Sequence, residues 1–261
     1  MRISKIFLYD EPSVPEINIS ELAEFLKNTF KIDVEVRKNI LRNSDEVTAQ
    51  KIASCRIFNP RKPFERHEPT QEEIKFEQEN FEDTSRTENI IMYDGFEFQK
   101  VISELIPDDE LTSENFHIVF TNKLTCSYDF SDYRYHGRAV ICSNPSIIST
   151  TGIIEAPAKP RDYYMELISN MRQGLNVESV KKKYSGRYLE YHDSRLSKII
   201  RGYLLQALFY YLFEEAFCEL RECVLFNAHW QSDLMYSQLE SGKLCEKHQE
   251  ILNNFVKNLN L

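Results

Sequence analysis

At 261 residues, 42% hydrophobic and 12% aromatic, the chain has the composition of a globular protein with a sizeable core, in one large or two small domains. A formal net charge of −9 and a pI near 5.3 exclude a broadly basic face, so neither nucleic acid nor a membrane is expected as a partner. Six cysteines, no secretion-type apolar stretch at the start and no run long enough to span a bilayer predict a cytoplasmic protein. In that compartment the cysteines are metal ligands or core thiols, not disulfides.

Residues 3–9 read as a strand. Residues 20–30 follow as a helix, with Ser20 as the expected N-cap and Leu22, Phe25, Leu26 and Phe30 at helical spacing. A β-branched stretch at 33–36 and a helix over 45–55 complete a β-α-β start, which points to an α/β or α+β layered fold. Between 59 and 89 the character changes. Pro60, Pro63 and Pro69 open a charged stretch in which Phe64, Ile74, Phe76 and Phe81 stand isolated. That pattern predicts an exposed, insertion-tolerant loop with room for one polar helix.

Order returns with a helix over 96–105 and a strand over 116–121. A further strand over 138–142 carries the run Ala139-Val140-Ile141-Cys142, which reads as buried on both faces. Residues 143–152 are rich in hydroxyls around Asn144 and Pro145. A phosphate or peptide is one conceivable occupant, but the glycine pattern of an anion loop is absent. From Pro160 the chain is mostly helical, with short helices over 161–172 and 177–184; Lys181-Lys182-Lys183 is a solvated face of the second. A long helix starts at Asp193, its expected N-cap, and runs toward Phe217. Leu196, Ile199, Ile200, Tyr203, Leu204, Ala207, Leu208, Tyr211 and Leu212 keep the period, and apolar residues on the other faces place it at the centre of its domain. An amphipathic helix over 245–259 closes the chain.

The clearest chemistry follows the long helix. Cys218 and Cys223 stand as C-x4-C; after a spacer of 21 residues come Cys245 and His248 as C-x2-H. Two close ligand pairs joined by a longer interval are how a chain builds a closed tetrahedral zinc site, and thiolates with one imidazole suit zinc. The alternative is buried thiols beside a surface histidine. Within the spacer, His229 precedes the only tryptophan, Trp230, after an Asn227-Ala228 turn with Asn227 as a possible N-cap. Trp230 is expected to pack the spacer helix over the zinc lobe, with His229 hydrogen-bonded behind a zinc ligand; a substrate-reading role is the alternative. Cys55, Cys126 and Cys142 lack paired spacing.

This order of features resembles the C-terminal half of archaemetzincins, whose signature is HExxHxxGx3C-x4-C-x-M, a somewhat shorter spacer, then C-x2-C. Here Cys218-Glu219-Leu220-Arg221-Glu222-Cys223-Val224-Leu225 falls on the part that starts at the first cysteine. Cys245-Glu246-Lys247-His248 falls on the last part, with histidine replacing the final cysteine. The chain also looks like an archaeal family classed with metallopeptidases, through Ser146-Ile147-Ile148-Ser149-Thr150-Thr151-Gly152 and Asn227-Ala228-His229-Trp230-Gln231. The resemblance implies a metzincin-like fold and a structural zinc. It also implies catalytic positions that this chain does not keep. Counting back from Cys218, the first histidine falls on Ala207, the catalytic glutamate on Leu208, the second histidine on Tyr211, the glycine on Glu214 and the third ligand on Phe217; the later methionine falls on Leu225.

Elementary chemistry agrees. A zincin needs two imidazoles four residues apart on one helix face with a carboxylate between them. The histidines are His67, His117, His136, His192, His229 and His248, and no two are four apart. The expected architecture is therefore α+β and metzincin-like, a single domain over 1–261. It has a mixed sheet in the N-terminal half, a charged insertion near 59–89, a long buried helix and a zinc-pinned helical lobe over 218–261. The leading functional expectation is a peptide- or protein-binding relative of metallopeptidases without HExxH hydrolysis. One alternative is a hydrolase with a relocated site drawn from His117, His136, His192 and His229; another is an unrelated zinc-stabilised interaction module.

Overall fold

The structure is a computed structural model that describes residues 3–81 and 90–259. In chain order the elements begin with β1 (Lys5–Tyr9), α1 (Ile19–Phe30), β2 (Asp33–Arg37), α2 (Glu46–Ser54) and α3 (Gln71–Asn80). Next come β3 (Met92–Asp94), α4 (Gly95–Ser103), β4 (Asn115–Thr121), β5 (Leu124–Asp129), β6 (Arg134–Gly137), β7 (Val140–Ile141) and β8 (Ser146–Ser149). The remainder is helical: α5 (Thr150–Glu155), α6 (Arg161–Arg172), α7 (Glu178–Tyr184), α8 (Leu196–Phe213), α9 (Gln231–Met235), a π-helix (Tyr236–Ser241) and α10 (Glu246–Leu259).

The main sheet runs β2-β1-β4-β8-β7, with the first four strands parallel and β7 antiparallel at the edge; a small sheet runs β3-β5-β6. Side-chain alternation splits β1 between two cores. Ile6 and Leu8 face α1, α8 and α10, whereas Phe7 and Tyr9 face α2, α3 and α4. Both faces of the parallel strands are thus covered, which is what their near-continuous apolar runs require. Among the described residues no helix is long and apolar enough to cross a membrane.

Several sequence expectations are corrected in detail. Helix α1 is capped by Asn18, whose side chain accepts from the Glu21 N–H, so Ser20 lies inside the helix. Asp193 does not cap α8; its carboxylate holds Arg195, and the helix starts at Leu196 and stops at Phe213, short of Phe217. The segment 138–142 is only a two-residue edge strand, and Ala139 and Val140 are half-buried because an edge covers its faces incompletely. Residues 124–129, for which the sequence suggests no element, form β5 and pair antiparallel with β6.

Residues 59–70 of the charged segment form a largely exposed loop and α3 is its one polar helix, as expected, but that helix is docked; residues 82–89 lie outside the described residues. Helix α3 carries a capping box of Thr70 and Glu73 and buries Ile74 and Glu77. The Glu77 carboxylate accepts from Arg56 (2.9 and 2.6 Å), from the Tyr93 hydroxyl at 2.7 Å and from Lys123 at 2.6 Å. Burial raises its pKa, but Lys123, Tyr93 and Arg56 outweigh burial and hold it lowered. A paired carboxylate thus docks α3 beside the two apolar anchors Ile74 and Phe81, and hydropathy gives no sign of that polar part of the contact.

Candidate metal centre

Helix α8 delivers the chain to this centre. Its residues from Leu196 to Phe209 are almost all buried, with Gly202 and Gln206 as small and polar breaks in the apolar surface. Both breaks serve the C-terminal lobe. Gln206 donates to the Phe226 carbonyl, and a Cβ on Gly202 would lie 1.8 Å from Gln238 Oε1, so glycine leaves the room in which the Gln238 carboxamide lies. The helix ends at Glu214, a left-handed residue with φ 59°, at the position the archaemetzincin resemblance assigns to glycine. The chain then turns through Glu215 to Cys218.

Cys218 and Cys223 are fixed by backbone pairing, Cys218 with Phe226 and Cys223 with Lys243. The Cys218 N–H donates to the Leu225 carbonyl at 3.0 Å and the Val224 N–H to that of Lys243 at 2.8 Å. Cys245 sits immediately before α10, and its carbonyl accepts from Gln249; His248 falls in the first turn. The sulfurs of Cys218 and Cys245 are 4.0 Å apart. His248 Nδ1 lies 3.0 Å from Cys245 Sγ and 3.6 Å from Cys223 Sγ. All four donor atoms lie within 4.8 Å of one another. Backbone N–H groups of Leu220 and Cys245 point at the sulfurs of Cys218 and Cys223 at 3.4 and 3.5 Å, which favours thiolates there.

The donor set fits one tetrahedral cation. A metal with sulfur bonds near 2.3 Å spaces its sulfurs by roughly 3.8 Å and a sulfur and nitrogen slightly less. In the absence of a cation, burial drives the Cys223 thiol up to about 12 and raises that of Cys218. A bound metal would supply the charge that makes these sulfurs thiolates. Behind the imidazole, His248 Nε2 faces Glu215 Oε1 at 3.4 Å, an ion-pair separation off the angle of an aligned hydrogen bond. Lys247 chiefly, then His248, holds the Glu215 carboxyl below its ordinary range.

Glu215 therefore occupies the supporting place that sequence reasoning gave to His229. Both His229 and Trp230 are exposed, Trp230 to 43%, and their backbone pairs with Ala158 instead. Nor does Asn227 cap α9, which begins at Gln231 beyond Trp230.

The other histidines do not converge. His117 is buried in β4, stacked on Phe7 and bonded to the Tyr9 hydroxyl and the Glu110 carbonyl. His192 pairs with Glu16 at 3.3 Å. His136 joins Asp129 and Asp132 in a second cluster, but it is solvated and Arg134 already neutralises Asp132. The hydroxyl stretch is spent on structure: Ser149, Thr150 and Thr151 donate to the carbonyls of Lys123, Thr121 and Asn122.

The chain belongs to the family described as "Probable metallopeptidase family (DUF6775)", whose profile matches residues 2–255. No curated protein matches it. Among solved structures it is similar to archaemetzincin (amzA) from Methanopyrus kandleri at 11% identity, covering 98% of this chain and 96% of that one with a TM-score of 0.45.

Proposed function

We propose that this protein is a zinc-pinned member of its metallopeptidase family that binds a peptide or protein segment without HExxH-type hydrolysis. Zinc is the metal the donors favour, because three sulfurs and one imidazole form a closed, soft, four-coordinate set with no open position for water. Its role there is to hold the lobe.

The observation that supports the absence of HExxH-type hydrolysis is the state of α8. Ala207 and Leu208, where the resemblance places the first imidazole and the carboxylate, are fully buried in the main apolar core. Tyr211, at the second imidazole position, stacks on Phe116 at 4.6 Å and donates its hydroxyl to the Ser113 carbonyl. Phe217, at the third, is 44% exposed. None of these side chains supplies a ligand or a general base.

The test combines metal analysis with a quenched-fluorescent peptide library on freshly purified protein. The expected result is one zinc per chain and no cleavage that a chelator abolishes. Chelator-sensitive hydrolysis that survives conversion of His248 would overturn the non-hydrolytic reading and return attention to His117, His136, His192 and His229.

A further inference from the structure

Exposed large apolar side chains are densest on α6. Tyr164, Met165, Ile168 and Met171 stand on that helix and Leu175 on the turn after it, each 39% to 65% exposed. Together they offer a surface on the order of several hundred Å², the size at which an apolar patch marks an interaction site. The inner face of α6 is already used: Tyr163 and Leu167 pack with Val180, Tyr184 and Tyr188 in a small core separate from the two main ones. Asp162 and Glu166, four residues apart, share a flank, where Glu166 accepts from Lys183 and from the Tyr184 hydroxyl. The outer face is thus left to solvent and carries no carboxylate.

Cations stand on it instead. Arg161, Met165, Ile168 and Arg172 are spaced four, three and four residues apart, so two arginines bracket the apolar residues on one stripe of about three turns. Neither arginine has a carboxylate partner among the described residues. Over residues 159–187 seven cations stand against three carboxylates, a net +4, and the rest of the chain carries −13 to make the total of −9. The whole-chain charge that argues against a membrane therefore hides a basic, apolar hairpin. Exposed charges farther from this face than the Debye length, about 8 Å, are largely screened from it.

We infer that the α6–α7 hairpin seats this protein on the surface of an anionic lipid bilayer. The stripe lies flat at the boundary of headgroups and acyl chains, with Met165, Ile168 and Met171 turned to the chains. Arg161 and Arg172 reach lipid phosphates, and the solvated lysine run of α7 adds attraction at longer range. A second copy is a poorer occupant, because two such faces packed about a two-fold axis bring four arginines together with no acid on either face. A protein groove needs an acid at a fixed place for each arginine, whereas an anionic bilayer presents phosphate along the whole stripe.

The test is co-sedimentation of the full chain with vesicles of phosphatidylcholine alone and of equal parts phosphatidylcholine and phosphatidylglycerol, at low and at physiological salt. Binding is expected to be at least about tenfold tighter to the anionic vesicles and to weaken with salt. Met165→Ser with Met171→Ser, and separately Arg161→Gln with Arg172→Gln, should each lose binding at least about tenfold. Both double variants should keep the parent's metal content and melting temperature, since all four side chains are exposed. No sedimentation with anionic vesicles overturns the inference and gives the face to a protein partner. Equal binding to both kinds of vesicle, or full binding by either double variant, overturns it as well. A dimer in sedimentation velocity that Met165→Ser with Met171→Ser converts to a monomer overturns the lipid assignment in favour of a second copy.

Discussion

His248 turns one ring nitrogen to the sulfurs of Cys245 and Cys223 and the other to Glu215, 3.4 Å away. The imidazole is thereby oriented from behind by a carboxylate, and the tautomer with Nδ1 free for a metal is favoured. Converting Glu215→Ala is expected to lower zinc affinity about 10- to 100-fold while leaving the same four ligands in place. Competition with a chromogenic zinc chelator measures this; unchanged affinity would remove Glu215 from the account.

Loss of one sulfur is expected to be far more damaging. Cys223 is fully buried, and without metal its thiol is driven up to about 12. Cys223→Ser should abolish stoichiometric zinc and cost at least about 3 kcal/mol of stability, because metal binding and folding of the lobe are linked. Thermal unfolding with and without added zinc gives the comparison. Cys142, which burial likewise pushes up to about 12 and which belongs to no donor cluster among the described residues, is the control: Cys142→Ala should retain the metal.

The close contact of α8 with the π-helix leads to a packing prediction. Gly202→Ala places a methyl 1.8 Å from Gln238 Oε1, so the Gln238 carboxamide must move and strain its bond to the Val224 carbonyl. The expected cost is about 1–3 kcal/mol. Shortening the opposing side chain with Gln238→Ala in the same chain should recover part of it, and a double-mutant cycle by chemical denaturation measures the coupling.

Helix α3 is anchored through Glu77, whose carboxylate meets Arg56, Tyr93 and Lys123. Removing the charge with Glu77→Gln leaves Lys123 and Arg56 buried and under-compensated, and a cost of about 3–5 kcal/mol is expected. The pH dependence has a definite sign. The folded carboxyl is lowered, so its contribution is present above the unfolded carboxylate pKa and is lost as pH falls through the folded value. The stability gap between the parent and Glu77→Gln should therefore be widest near neutrality and shrink at acid pH. A gap that widens on acidification would contradict the assignment.

The metal quartet was legible because its spacing is chemical: two short clips on opposite sides of a spacer can be recognised without knowing the fold. The long helix was legible for the same kind of reason, through its periodicity. Glu215 was not, because its role depends on the left-handed turn at Glu214, which no local residue pattern announces. His229 and Trp230 drew attention by residue type alone and proved to lie exposed at the start of α9. Hydropathy marked α3 only as a polar helix and gave no sign of its buried Glu77, and it misjudged β7, where apolar composition does not distinguish an edge strand from a central one.

The most direct test is X-ray absorption at the zinc edge together with metal analysis of the full chain. The account predicts one zinc per chain with three sulfurs and one nitrogen in its coordination shell, and the loss of that signal in Cys223→Ser. A second stoichiometric zinc in a nitrogen- and oxygen-rich shell, or metal-free protein that unfolds at the same temperature as zinc-loaded protein, would contradict it.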